Sequence, residues 1–566
     1  MESRNLIAAI AMSAAVIILW SLYMVPSPEE VKRLKAQQEK NQLIQETEGP
    51  KVEQEEKSEN ISRKESILQS DRINFENEFI IGSITLDNGG AIDDFKFKNY
   101  NKTLNSKEKI ILLSPSNTEN GYLLNTGWAT NSEVEVPNSK TKWILESGNK
   151  LTPKNPVKIY FENNTGIRFE RTISLDEKYF FTIKQKIINN SNKNYKFYPY
   201  AFLHRNNVPE DLTDFWILHE GFTTVINGEL KEVDYKDVKE KKFTKEGSTG
   251  FISLGDKYWL TSLIPNQGRK FRIDIDYTQK YRLSFIDLEG FNVDANSSVV
   301  HTIKSVIGAK EVKLIDKYAD ELNIKQFDLN ISYGVFYWIV RPMHLALDYL
   351  YKFSGNYGYA IILLTILIRI IFFPLNQYSF KSMSRMKKLT PQINLIKERW
   401  KDDKQQLQKE TLKLYKNNGV NPASSCFPII IQIPIFFSLY KLLLLDIAMR
   451  HAPFIWYWED LAAKDNGGEW LFSFLPFSVP SFLEIGLLPV LMGVTMYMTQ
   501  KLQPIPTGND SASQVQAKMF KYFPIFIVFI LSPFASGLCL YWACTNLLQF
   551  FQQWLIMRKI TVKPLQ

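Results

Sequence analysis

Arg369 stands inside an apolar stretch, with Ile361 through Ile368 before it and Ile370 through Phe373 after it. A guanidinium at the centre of a spanning helix costs about 2.5 to 3.5 kcal/mol on insertion scales, so it needs a reason to be there. Thr365, four residues earlier, shares its helical face. Other apolar runs bring Gln432 and Ser438, then Thr495 and Thr499, then Thr545, Asn546 and Gln549. Groups of this kind face a bundle interior or a wet cavity. The chemistry they offer is electrostatic attraction: an uncompensated cation in a water-filled groove draws in an acidic or polar segment. A proton or ion relay would need acids beside it, and Asp446 and Glu484 sit only at the edges of the runs. Two plainer readings stand beside this one. Arg369 lies about ten ångströms of helical rise from Asn376, so its head could snorkel to the headgroups, and each polar residue alone suits a helix-packing hydrogen bond.

Other chemistries find no footing. The five histidines (His204, His219, His301, His344, His451) all lie outside the long apolar runs, which excludes an intramembrane protease built on Ser-His or His-Glu-x-x-His. Cys426, Cys539 and Cys544 have no histidine at ligand spacing, so neither metal nor cofactor is expected. There is no Gly-rich phosphate loop. The net charge of +9 forms no basic stripe, which argues against a specific nucleic-acid partner and for the lipid bilayer. The main rival is a secondary transporter, which predicts internal repeats and buried acids; neither is legible here.

The elements that position these residues divide the 566 residues unequally. Residues 1–25 hold an apolar run after Arg4 whose exit, Tyr23-Met24-Val25-Pro26, lacks a small-residue cleavage site; a retained transmembrane anchor is expected. Residues 26–72, rich in Glu, Lys, Gln and Ser, read as a flexible linker. Residues 73–330 alternate in short runs: Ile167, Phe169, Arg171, Ile173 and Leu175, then Phe181, Ile183, Gln185 and Ile187, with Asp176 and Glu177 between them. Asn88-Gly89-Gly90 and Asn227-Gly228 add hairpin signals. An all-β sandwich follows, without cysteines and so resting on an ordinary core.

Residues 331–355 are aromatic and apolar but contain Arg341, Pro342, His344 and Asp348, which suits an amphipathic helix lying in the membrane interface. Five apolar runs then predict spans at 356–376, 422–446, 485–502, 519–535 and 536–558, six with the anchor. The fold class is therefore a polytopic α-helical membrane protein carrying a large exported β-sandwich. Loop charge orients it: between Asn376 and Pro422 there are eleven Lys or Arg against four acids, whereas 447–484 and its flanks carry Arg450 and Lys464 against six acids. The first loop is cytoplasmic and the second periplasmic. By the same count both termini, the loop 503–518 and the tail 559–566 are cytoplasmic, and the β-domain is periplasmic. In the loop 377–421, Met386, Leu389, Ile393, Ile396 and Trp400 recur at three and four, and Leu407 and Leu414 at seven, which predicts a cytoplasmic helical hairpin. Its basic face, with Arg385, Lys387 and Lys388, is either simply solvated or meets a partner such as a ribosome.

Several of these segments resemble the YidC-type membrane protein insertases (the YidC/Oxa/Alb family), in their longer Gram-negative form. Leu364 through Arg369 followed by Phe373-Pro374-Leu375 resembles the family's arginine-bearing helix. Asn421-Pro422, Cys426-Phe427-Pro428, Gln432 and Pro434-Ile435-Phe436 resemble its next span. Leu491 through Met496, and Ser536-Gly537-Leu538 with Leu540-Tyr541-Trp542 and Asn546, resemble the rest of its core. The resemblance implies a five-helix core around a hydrophilic groove open to cytoplasm and lipid, with Arg369 as its cation and Thr365, Tyr541 and Trp542 meeting clients. Trp542 stands where a second Tyr is usual, which leaves stacking and apolar contact at that position. The implied activity is insertion, folding and assembly of nascent membrane proteins in the bacterial inner membrane. It implies working alone or with the Sec translocon, and receiving clients from ribosomes or the signal recognition particle pathway. Few basic residues follow Met557, which leaves the hairpin as the candidate ribosome contact.

Overall fold

Alternation with period two buries every second side chain of a strand, and the runs read above do meet as strands of two large sheets. The computed structural model describes residues 61–213, 218–401, 403–421, 427–465, 467, 485–503 and 511–559. The expected anchor at 1–25, residues 26–60 of the linker, Cys426, residues 466 and 468–484 of the loop 447–484, and the tail beyond Lys559 lie outside the described residues. The chain falls into two compact units, the first built from residues up to 308 and the second mainly from residues 309 onward.

The first unit is a sandwich of two sheets. The nine-stranded sheet runs, edge to edge, Glu229–Asp234, Gly221–Ile226, Gly250–Gly255, Trp259–Ile264, Ser297–Ala309, Phe180–Asn189, Ile167–Leu175, Val157–Glu162 and Ile144–Ser147. The other runs Phe243–Gly247, Phe271–Tyr277, Tyr281–Asp287, Tyr195–Arg205, Tyr122–Thr130, Ile92–Asn101, Ile80–Thr85, Arg72–Glu76 and Lys150–Leu151; Phe291–Val293 and Lys109–Leu113 add to it off this path. Two short helices accompany them, α1 (Arg63–Leu68) and α2 (Tyr235–Glu240). The two runs joined by Asp176 and Glu177 pair antiparallel, Phe181 opposite Leu175 and Ile187 opposite Phe169. The Asp176 carboxylate holds that turn by accepting from the Lys178 and Phe180 amides, both at 2.8 Å. Asn227 and Gly228 form a two-residue hairpin loop with φ of 53° and 81°, the positive pair that a type I′ turn demands. Phe75, Phe95, Phe97, Phe169, Phe181 and Phe197 are fully buried. Arg171, in the nine-stranded sheet, reaches the carbonyls of Gly89 at 2.7 Å and of Thr126, so one guanidinium ties the two sheets together. The last strand ends at Ala309, so the β-structure stops about twenty residues before the expected boundary at 330.

The second unit is helical. It begins with α3 (Val312–Glu321) and α4 (Tyr337–Ser354), which ends where Gly355 takes φ of 69°. Asn356 then caps α5 (Tyr357–Ile371) by accepting from the Gly358 and Tyr359 amides. Helices α6 (Phe373–Lys388), α7 (Thr390–Arg399) and α8 (Lys404–Asn417) follow, then α9 (Phe427–Leu445), α10 (Leu487–Leu502), α11 (Ser511–Leu531) and α12 (Ser536–Lys559).

On α4 the polar residues face inward and are paired: Arg341 with Asp316 at 2.6 Å, Asp348 with Lys313 at 2.7 Å, His344 with Asp446 at 3.2 Å. Its outward face carries Trp338, Leu345, Tyr349 and Phe353, with Trp338 83% and Phe353 79% exposed. Helices α5 and α6 meet at 71°, where Pro374 begins the second helix, so the expected span 356–376 is shorter than its apolar run and turns sideways at Phe372. A second break falls at Leu389, where Pro391 starts α7, and the expected two-helix hairpin is a three-helix arm. Its seam residues Met386, Leu389, Ile393, Ile396, Trp400, Leu407 and Leu414 share one cluster with Tyr415 and Val420. Among the described residues no single helix is both long and apolar enough to cross a membrane; the bent pair α5–α6 meets that measure by length and composition.

Candidate functional site

Between α5, α9, α10, α11 and α12 lies an open groove of about 350 Å³. Arg369, in the last turn of α5, reaches across it to α12: its Nη2 donates to the Thr545 carbonyl at 3.0 Å and to Gln549 Oε1 at 3.2 Å. The guanidinium thus turns inward to a neighbouring helix instead of stretching along its own toward the headgroups. Both acceptors are neutral, and among the described residues Arg369 has no carboxylate within ion-pair distance. On the opposite wall Gln432 Nε2 donates to the Tyr541 hydroxyl at 3.0 Å. Trp542 packs its ring 4.8 Å from that of Phe436, closing the lining with an aromatic pair.

Of the polar residues singled out in the sequence, Thr365, Arg369, Gln432, Thr499, Thr545, Asn546 and Gln549 line this groove, as do Tyr541 and Trp542. Thr365 and Thr499 donate to carbonyls of their own helices, Ile361 and Thr495, which leaves their oxygens as acceptors. The Asn546 side-chain nitrogen is buried and finds no acceptor among the described residues. Ser438 and Thr495 are buried elsewhere: the Ser438 hydroxyl has no partner among the described residues, and Thr495 bonds back to Leu491 and Met492. The arm residues are distant in role. Arg385 donates to the Gly419 carbonyl at 3.2 Å, Lys387 to the Lys501 carbonyl, Trp400 packs in the arm's apolar cluster, and Lys388 ends α6.

Sequence reasoning passed over Asn376, Gln500 and Gln503, which also line the groove. Each sits at the end of an apolar run, where a polar residue reads as a boundary. It also passed over Lys441, a second buried cation within α9, whose ammonium donates to the Ser332 carbonyl at 3.0 Å.

A family model described as the YidC periplasmic domain matches residues 72–346, and one described as the 60Kd inner membrane protein matches 349–563. The membrane protein insertase YidC of Pelagibacter ubique (strain HTCC1062) is 46% identical over 565 residues, covering all of both chains. The chain belongs to the YidC family of membrane protein insertases. The Rickettsia felis YidC insertase is 38% identical, with 98% of each chain covered. A crystal structure of an active YidC insertase with its first transmembrane domain resolved is 20% identical, with a TM-score of 0.34 over 89% of this chain and 94% of that one. The β-sandwich is accordingly the YidC periplasmic domain, and the protein is an inner-membrane insertase, not an enzyme.

Proposed function

We propose that this chain inserts and helps fold membrane proteins through the groove headed by Arg369. The single observation that carries the reading is the guanidinium bound, among the described residues, by neutral oxygens alone, Thr545 O and Gln549 Oε1, inside an open concavity of the helical unit. A cation so placed attracts the acidic or polar outer segment of a client more strongly than it would in water, because the surrounding dielectric is low. Gln432, Tyr541 and the unpartnered Asn546 amide supply hydrogen-bonding groups along the way, and the outward apolar surface of α11 receives the client's apolar helix. Phe526 and Met519 are 60% and 69% exposed on that surface.

In this reading α5 and α9 to α12 are five spans, and residues 1–25 supply the sixth. The exposed aromatic face of α4 lies in the outer interface, the arm α6 to α8 is cytoplasmic, and the groove opens to cytoplasm and lipid. Clients arrive nascent, from ribosomes or the signal recognition particle pathway, with or without the Sec translocon. The test is reconstitution of the purified protein into liposomes with a single-span client bearing an acidic tail. Insertion is expected with the wild type and lost with Arg369→Ala; insertion undiminished in the variant would remove the groove cation from the mechanism.

A further inference from the structure

Pro524 lies inside α11, and a proline has no N–H to give to the carbonyl four residues earlier. That carbonyl belongs to Phe520, whose ring lines the groove. In a water-poor setting an unpaired backbone carbonyl is strongly unfavourable, so its partner matters. The partner is the side-chain amide of Gln500, which crosses from α10 and donates to the Phe520 oxygen.

Gln500 projects from a fixed element. The carbonyls at the end of α10, Lys501 and Leu502, accept from Lys387 of α6 and from Gln553 of α12, the latter at 3.1 Å. Helix α11 is held differently. Its contacts run through α10 and the turn to α12: Val528 against Gly493, and Ile527 and Leu531 in a cluster with Met492, Phe534, Ala543 and Trp542. These lie toward the α11 C-terminus, whereas Met519, Tyr522 and Phe523, at the groove end, are exposed.

We infer that Gln500 is a positioning residue, a latch that holds the groove end of α11 against α10 through the carbonyl that Pro524 leaves free. Because Gln500 and Phe520 both line the groove, a client backbone or polar side chain entering there competes for either end of the latch. Its release lets α11 move outward and widens the wall toward lipid. The consequence for insertion rests on the groove reading above; the latch itself does not.

The test compares Gln500→Leu, Pro524→Ala and the double variant, reading hydrogen exchange of the α11 amides and, separately, client insertion in liposomes. Loss of one such bond predicts about 5- to 10-fold faster exchange in Gln500→Leu, with insertion shifted by a comparable factor. Pro524→Ala restores the internal N–H donor, so the double variant is expected to return to the exchange of Pro524→Ala alone. Unchanged exchange in Gln500→Leu, or a double variant as fast as Gln500→Leu, overturns the latch. Altered exchange with unaltered insertion keeps the latch and overturns the groove as the client route. Should Gln500→Leu not fold, Gln500→Met keeps the length of the side chain and removes the donor without adding charge to the groove, with the same expectations.

Discussion

Gln549 gives the sharpest handle on the groove, because it touches the cation without carrying charge. Its Oε1 accepts from Arg369 at 3.2 Å, the long end of the normal range, while the Thr545 carbonyl holds the same Nη2 at 3.0 Å. Bonds to charged groups contribute about 1.5 to 3 kcal/mol, and interhelical bonds within membranes average about 0.6 and reach about 1.7. A value of about 1 kcal/mol fits a long bond of this kind, so Gln549→Leu should lower insertion of an acidic-tailed client about 5-fold by loosening the guanidinium. Gln549→Glu should do far more. A carboxylate about 4 Å from the cation interacts with it by about 4 kcal/mol at an effective dielectric of 20, before desolvation. It would occupy the cation that a client needs, bringing insertion down to the level of Arg369→Ala while thermal stability rises. In the Arg369→Ala background, Gln549→Leu should add nothing beyond about 0.5 kcal/mol, the pattern of two residues acting as one unit. The assay is protease protection of the client's translocated tail in liposomes, paired with thermal melting of each variant. Wild-type insertion by Gln549→Glu would refute the claim that free positive charge in the groove draws clients.

Two further outcomes follow from packing and burial. His301 lies buried beside the rings of Trp128 and Phe291 with Nδ1 unpartnered, and burial pushes its imidazole down to about 4. The native state therefore stays neutral where the unfolded chain, near 6.5, takes up a proton. The unfolded state binds more protons across that window, so stability falls by ~3 kcal/mol as pH drops from about 6.5 to about 4. As pH falls across this window the urea midpoint of the wild type should drop relative to that of His301→Phe, and a pH-independent difference would rule the imidazole out. At Gly493 a Cβ would stand 2.3 Å from Val528 Cγ2, so Gly493→Leu should cost about 1 to 3 kcal/mol through overpacking of α10 on α11. Thermal melting should show most of that loss recovered in Gly493→Ala with Val528→Ala.

Where local chemistry dictates geometry, the fold was legible. Asn227-Gly228 admits a tight hairpin because both residues tolerate positive φ, and it is one. The apolar runs in the last third end within a few residues of α9, α10 and α12, since a run bounded by polar residues limits a helix at both ends. The bend at Phe372 was not foreseen, although Pro374 stands beside it, because apolar composition alone reads straight through a proline. The groove was legible in chemistry but not in rotation. Thr499 lines it and Thr495, one turn earlier, does not, because helices apolar on most sides carry no strong period to say which face looks inward. Gln500 escaped notice for another reason: its role depends on Pro524 of a different helix, and nothing in the local sequence of either residue announces the pairing.

The neutral company of Arg369 reaches past client recognition. A guanidinium surrounded by a backbone carbonyl and an amide has nothing near it, among the described residues, that titrates at the acidity of living cytoplasm, and it keeps its own proton there. Its pull is therefore a constant of the architecture, insensitive to internal acidification and offering no handle by which a proton gradient could drive it. In the proposed reading, the selectivity of the groove cation is therefore set by the length and charge of each arriving tail and not by the pH around it.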